Sequence, residues 1–483
     1  MKLFQKYQEN IDYLTDKLGV GKSFDVVKRD ITIGGKNAAI FFIDGFSKDD
    51  IMLFIMEELQ GTKHDEIVPN ILEKLIVKKI PYIECTESDD YKEIEYMILS
   101  GASVLFVEGV YKAIILDTRT YPARGPEEPD LEKVTRGSRD GFVETIIFNT
   151  ALIRRRVRDP NLRFEIFNVG RRSKTDIVVG YIEDITNDDL VKSIKDKLNA
   201  IDTDSLIMAE KSLEEYILGK SFNPFPQARF TERPDVTAAH LLEGHIILIV
   251  DTTPSVMILP VTMFHFTQHA EDYYQNPTIG TYMRWVRFLA IFFSLIASPL
   301  WLVFANNTDL LPQALSFIGP KEIGEIPLVI QFLVLEVGLD MLRIASIHTP
   351  NALTTSLGII GALLLSDFAV KVGWIIPETV LYTAISGIGM FATPSIEFSL
   401  AMRLFRILLL IGGGFFGIYG FLITFLIFLI TLYKTKSFGG INYLWPLIPF
   451  NGRAFSTIIM RKPIPEVKLR PEILRTKDKT TKK

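Results

Sequence analysis

Cysteine is nearly absent. Cys85 is the single one in 483 residues, which excludes an intrachain disulfide and any cysteine-rich metal site. Histidine is almost as scarce: His64, His240, His245, His265, His269 and His348 are scattered along the chain. His265 and His269 lie four apart but have no third ligand nearby in sequence. No HExxH, GxSxG or glycine-rich dinucleotide fingerprint occurs. These absences point away from a metal centre, a cofactor and an enzyme. The opening residues, MKLFQKYQENIDYLTDKLG, lack the apolar core of a signal peptide, so the chain ahead of its first apolar run is expected on the cytosolic side. GVGKS at 19–23 resembles the end of a phosphate-binding loop, but Asp16 stands where the first glycine is required. A helical pattern also precedes it, where such a loop follows a strand. It reads as a helix-ending glycine turn.

Charge is scarce too, in one region. Residues 288–433 hold only 5 Lys/Arg and 8 Asp/Glu. They contain five apolar pieces, at 288–304, 326–346, 352–376, 379–398 and 404–433. A helix crosses a hydrocarbon core with about 20 mostly apolar residues, and soluble helices keep a polar face that the last piece lacks. The rest of the charge is uneven. Residues 1–287 carry 36 Lys/Arg against 46 Asp/Glu, and residues 434–483 carry 12 against 3. An acidic front half argues against nucleic acid as a partner; the basic tail suits anionic lipid headgroups.

The front half repeats itself. NAAIFFIDGFSKDDIMLFIMEEL from Asn37 matches TDIVVGYIEDITNDDLVKSIKDKL from Thr175, and YMILSGASVLFVEGVYKAIIL (96–116) matches AHLLEGHIILIVDTTPSVMIL (239–259). The offsets are 139 and 143. In each copy an apolar strand leads to a helix with Ser47 or Thr186 as the expected N-cap and an aspartate three residues on. A hairpin follows in which Gly101 pairs with Gly244. The expected fold is two tandem related α/β subdomains, 1–118 and 119–284, followed by an α-helical polytopic membrane domain at 285–436. An interfacial loop and a disordered basic tail complete the chain at 437–483. Between the copies, Ser138 is expected to cap a helix running to about Arg158. Arg154, Arg155, Arg156, Arg171 and Arg172 form a basic island there, read as a solvated helix end, a subunit or headgroup contact, or an anion site.

The run PARGPEEPD…RGSRDGFVETIIFNTALIRRRVRDPNL…VGRRSKTDI (122–177) resembles the A-subunit family of bacterial spore germination receptors, the GerA type. Further likeness follows at NPFPQARFTERPD (223–235), LLEGHIILIVDTTPS (241–255), EDYYQ (271–275) and GGGFFGIYG (412–420). Asn442 stands where the family pattern has proline. The resemblance covers almost the whole chain. It implies a multi-pass protein of the inner spore membrane that acts in germination with other germination membrane proteins. It also implies a homo-oligomeric ring that conducts small monovalent ions; the alternative is a non-conducting scaffold or signalling subunit.

The positive flanks, Arg284 and Arg287 before the apolar region and Lys434 and Lys436 after it, point to both ends in the cytosol and an even number of crossings; Arg403 and Arg406, before the last piece, blur this count, and the Lys434 flank is external if all five pieces cross. Four spans plus one irregular or re-entrant segment are expected, the doubtful piece being 326–346. Glu336, Asp340 and Glu397 are the candidates for a pore-lining acid. Glu336 either faces water or is protonated or bonded to a neighbouring helix. Asp367 and Lys371, four apart, form an expected membrane ion pair. Gly412, Gly413, Gly417 and Gly420 serve either close helix packing or a hinge.

Overall fold

A computed structural model describes the chain except residues 81, 121–131, 220–221, 308–318, 322–323, 349–368 and 482–483. The chain forms two compact units: Met1–Lys220 with Ala228–Pro260 and Pro465–Lys483, and Ser221–Gln227 with Val261–Ile464.

The first unit is built twice over from one pattern. Strands β1 (Val26–Ile33), β2 (Lys36–Ile43), β3 (Cys85–Ser88), β4 (Ser103–Val107) and β5 (Ala113–Leu116) form an antiparallel sheet in the order β1-β2-β4-β5-β3. Strands β6 (Leu162–Val169), β7 (Thr175–Ile182), β8 (Arg229–Thr231), β9 (Ile246–Val250) and β10 (Val256–Leu259) form a second, in the order β6-β7-β9-β10-β8. The duplication read from the sequence is therefore a shared topology. Helices α1 (Tyr7–Leu18), α2 (Asp49–Gly61) and α3 (Tyr91–Leu99) in the first copy have counterparts α4 (Ile146–Arg156), α5 (Asp188–Asn199) and α7 (Pro234–Glu243) in the second, which also carries α6 (Ala209–Leu218). Both faces of the first sheet are covered, which is why its strands read as continuous apolar runs. Alternation sends Phe41, Ile43, Val104 and Phe106 toward α1 and α3, and Ile40, Leu105 and Val107 toward α2.

Several local expectations shift. The N-caps of α2 and α5 are Lys48 and Asn187, one residue later than Ser47 and Thr186; Asn187 Oδ1 accepts from Asp189 N at 2.9 Å. Helix α4 begins at Ile146 rather than near Ser138, whose hydroxyl instead joins Asp140 and Arg156. Gly19, at φ 70°, closes α1 as the glycine turn expected of GVGKS. The tail, expected to be disordered, is ordered: residues 465–481 pack on the second copy, with Leu474 only 1% exposed.

The second unit is helical: α8 (Pro277–Asn306), α9 (Leu328–His348), α10 (Pro377–Phe391), α11 (Ile396–Lys434) and α12 (Gly452–Ile459). By length and composition, α8 and α11 are long and apolar enough to cross a membrane. α11 is not one rod. Phe405 and Phe428, 23 residues apart, would be about 34 Å apart along a straight helix, yet their ring centroids are 5.1 Å apart. The chain folds back at Gly417, where φ is 60° and ψ is −146°, a backbone region open essentially to glycine alone. α11 is thus a hairpin of two arms, 396–416 and 418–434.

Side-chain contacts give the helix directions. Arg406 meets Ser294 and Gly413 meets Val303, so α8 and the first arm run parallel. Trp301 stacks on Tyr382 and Gly389 abuts Ala290, so α10 runs against α8. Gln331 bonds Thr379 while Gly387 faces Leu339, so α9 and α10 run the same way. α9 therefore ends, and α10 begins, at opposite ends of the bundle. The third apolar piece, 352–376, falls in that connection and lies mostly outside the described residues, as does Asp367. The segment expected to be irregular, 326–346, is instead a regular helix over Leu328–His348.

Candidate functional site

Charge is concentrated where four apolar helices converge. α9 sets Glu336 and Asp340 four residues apart, and the first arm of α11 sets Arg403 and Arg406 three apart, so each pair shares a helical face. Glu336 is 1% exposed. Its carboxylate accepts from Arg406 Nε at 2.7 Å, Arg406 Nη2 at 2.8 Å and Arg403 Nε at 3.1 Å. Arg406 Nη1 donates to the Ser294 carbonyl of α8 at 2.6 Å, and Nη2 to Met390 Sδ of α10 at 3.1 Å. Arg403 donates further to the Glu336 carbonyl and to Asp340 Oδ1. Two acids and two guanidiniums balance formally. Arginine suits such a site because its planar fork stays charged and engages a carboxylate at two points.

A neutral polar seam continues through the same helices. Ser298 Oγ and Ser386 Oγ are 2.7 Å apart. Gln331 Oε1 accepts from Ile376 N at 2.9 Å and from Thr379 Oγ1 at 3.1 Å. At the start of α8 lies a second charged cluster. Arg287 holds Asp272 through bonds of 2.7 and 2.8 Å, and Arg284 Nη1 donates to the carbonyls of Thr457 and Ile458 at 2.8 and 3.1 Å.

The placement corrects several expectations. Of its two expected alternatives, Glu336 takes the one bonded to a neighbouring helix rather than the one facing water, as the buried centre of an ion network. Asp340 pairs with Arg403 across helices, and its side chain is 43% exposed. Glu397 is exposed in the first turn of α11, where the positive helix end favours an acid. Gly412 and Gly420 face each other inside the hairpin: a Cβ on Gly412 would stand 2.7 Å from the Gly420 carbonyl oxygen, and one on Gly420 would strike the Gly412 carbonyl. Gly413 abuts Val303 of α8 and Gly417 makes the turn. Lys371 is exposed at the end of a short helical turn.

The basic island does not hold together. Arg154 is fully buried and bonds Asp25 at 2.8 and 3.1 Å and the Leu162 carbonyl at 3.1 Å, joining α4 to the turn before β1 and to β6. Arg156 pairs with Asp140 at 2.6 Å. Arg155 is exposed, and Arg171 and Arg172 are exposed beside Asp202 and Asp204. His265 Nδ1 accepts from Thr262 N at 3.0 Å, and His269 Nδ1 from Glu271 N at 3.2 Å, so both nitrogens serve local backbone.

Sequence reasoning treated Arg403 and Arg406 only as a complication of the flanking charge. Their spacing of three in an otherwise apolar helix was the available signal, because buried guanidiniums require acids.

A family model described as Bacillus/Clostridium GerA spore germination protein matches residues 12–473. Stage V sporulation protein AF of Bacillus subtilis (strain 168) is 43% identical over 479 residues, covering 99% of this chain and 97% of that protein. Spore germination protein KA of the same organism is 32% identical over 472 residues, covering 96% and 86%. A crystal structure of the N-terminal domain of the A subunit of the Bacillus megaterium spore germinant receptor GerK3 aligns with 53% of this chain and 96% of its own, at 30% identity and a TM-score of 0.41.

Proposed function

The chain belongs to the GerA family of spore germination proteins, and from that premise we propose that it is a subunit of a homo-oligomeric channel that releases small monovalent ions through the inner spore membrane. The family and the apolar helices make it a membrane protein of spore germination; conduction, ring assembly and the inner spore membrane are our reading. One observation carries it. The ion network runs from a fully buried carboxylate, Glu336, to a half-exposed one, Asp340, in the middle of apolar helices. A carboxylate exposed at that depth is costly against hydrocarbon, and it is stable beside water. Repeated around an axis, Asp340 forms an acidic ring that concentrates cations, with Arg403 setting its position. Glu336, one of the three pore-lining candidates, becomes its buried support.

In this reading α8, α9, α10 and the two arms of α11 each cross the membrane, and the Arg284 and Lys434 flanks both lie on the cytosolic side. The first unit lies in the cytosol, and the exposed Arg155, Arg171 and Arg172 are its candidates for subunit or anionic-headgroup contact. The formal neutrality of the network also suits the second reading, a non-conducting scaffold that couples other germination proteins. Potassium efflux from liposomes holding the purified full chain, alongside its oligomeric state, separates the two. Efflux well above that of protein-free liposomes supports the channel, and a stable oligomer without efflux supports the scaffold.

A further inference from the structure

The two α/β copies are completed by different pieces of chain. In the first copy, the residues after β5 fold over the start of α2. Lys48 N donates to the Thr118 carbonyl at 3.2 Å, Thr120 N donates to the Phe46 carbonyl at 2.6 Å, and Ser47 and Arg119 form an antiparallel bridge. Thr118 is fully buried, with its hydroxyl 3.0 Å from Ser103 Oγ. Beside it, Gly101 leaves room for Phe46, whose atoms a Cβ would meet at 2.9 Å.

The second copy has no such continuation. β10 ends at Leu259, and after Pro260 the chain belongs to the helical unit. The vacant position is taken by the C-terminal tail. Lys477 N donates to the Ile185 carbonyl at 2.9 Å, as Thr120 N does to Phe46, and Ile185 is Phe46 plus the repeat offset of 139. Asn187, the counterpart of Lys48, donates through Nδ2 to the Arg475 carbonyl at 3.2 Å. Thr476 is 5% exposed and lies against Gly244, the counterpart of Gly101, so close that a Cβ there would strike Thr476 Cγ2. Lys477 Nζ adds bonds to the Glu183 carbonyl at 2.8 Å and to Asp188 at 2.6 Å. The rest of the tail presents this segment from a small hairpin, with Leu469 bridged to Thr480 and Arg470 Nε bonded to the Leu242 carbonyl at 2.8 Å.

We propose that the groove between Ile185 and Gly244 is a peptide-binding site whose ligand is a basic segment with a small β-branched residue at its centre, and that its occupant is this chain's own Arg475–Lys477, held as a detachable strap. The tie is non-covalent, and the Lys477–Asp188 pair is solvent-exposed at 38% and 79%, so it contributes little strength. Most of the hold comes from two backbone-level hydrogen bonds, the buried Thr476 and Leu474, and the tether that keeps the segment at high local concentration. Release bares the groove and frees the downstream end of the helical unit from the second α/β copy, while its upstream end stays joined through Pro260.

The test uses the full chain in detergent beside a variant ending at Ile464, with a fluorescent synthetic peptide of residues 465–481 as probe. The truncated chain binds the peptide saturably, and a Thr476→Trp peptide binds roughly tenfold or more weakly. The intact chain binds the probe at least about tenfold more weakly than the truncated one, because its own tail competes at high effective concentration. Equal binding by both chains, or no binding by a folded truncated chain, overturns the proposal. Should the truncated chain fail to fold, limited trypsin digestion of the full-length Thr476→Trp, Lys477→Glu variant decides: cleavage within the tail accelerates about tenfold if the strap is detachable, and an unchanged rate refutes it. Protection of the wild-type tail is independent of protein concentration; protection lost on dilution would assign the tail to a neighbouring copy and overturn the choice of occupant.

Discussion

Replacing Glu336 by glutamine keeps the side chain's shape and removes the charge at the centre of the network. Arg403 retains Asp340, but Arg406 is left with neutral partners alone: the substituted amide oxygen, the Ser294 carbonyl and the Met390 thioether. Leaving one partner of a buried ion pair uncompensated costs about 3–5 kcal/mol. Arg406→Met alone strands less charge, because Arg403 still reaches the Glu336 carboxylate at 3.1 Å; its cost is about 2–4 kcal/mol. The double variant Glu336→Gln, Arg406→Met removes both charges and restores balance, since Asp340 and Arg403 still pair. Its cost falls short of the sum by about 2–3 kcal/mol, near the upper end of coupling between residues in contact. The assay is a double-mutant cycle on the full chain, unfolded reversibly in mixed micelles of increasing denaturing detergent. Additive costs, with coupling below about 0.5 kcal/mol, would refute the idea that these two charges stabilise each other.

Three further outcomes follow from other parts of the molecule. Gly420→Ala places a methyl against the Gly412 carbonyl and destabilises the α11 hairpin by about 1–3 kcal/mol, read by thermal unfolding in detergent; an unchanged melting temperature would contradict the fold-back. Asp25→Asn strands the buried Arg154 and lowers the stability of the α/β unit by about 3–5 kcal/mol, with Asp140→Asn, at a more exposed pair, as the milder control; equal small losses would show that the clamp does not join the two copies. Burial lowers the imidazole of the fully buried His245 to about 4, from an ordinary value of 6.5. The unfolded chain therefore takes up the proton first as pH falls, so this stability is complete above about pH 6.5 and is lost toward pH 4, by about 3 kcal/mol. The difference between the wild-type and His245→Gln stability curves isolates it, and a flat difference between pH 4 and 6.5 would be inconsistent with a buried neutral imidazole.

What was legible in the sequence depended on locality. The duplication showed because alternating apolar strands, acidic helix starts and the paired Gly101 and Gly244 are short-range patterns repeated at one spacing. The apolar pieces showed because a hydrocarbon solvent imposes composition over a continuous stretch. The N-caps were off by one residue, since Lys48 lacks a capping oxygen and only the backbone turn places it. Pairings between distant elements did not show. Glu336 meets Arg403 and Arg406 from residues 67 and 70 positions away, and hydropathy registers each as an isolated defect. Gly417 read as a packing or hinge glycine because a turn between two apolar arms has no polar marker when its tip, Phe415 to Tyr419, is itself aromatic and exposed. The tail read as disordered because its own apolar content is too low for a core; it borrows one from the second α/β copy, whose missing edge no local pattern reveals.

In the proposed channel Asp340 is the accessible acid beside the ion path, with Glu336 as its buried support. Planar-bilayer recordings of the reconstituted full chain, comparing wild type with Asp340→Asn, test this directly. The wild type is expected to conduct monovalent cations in preference to anions, and Asp340→Asn to assemble normally while losing most of that preference, because a ring of carboxylates has become a ring of neutral amides. Cation preference unchanged in Asp340→Asn at normal oligomer yield, or a wild-type assembly that passes no current, would contradict it.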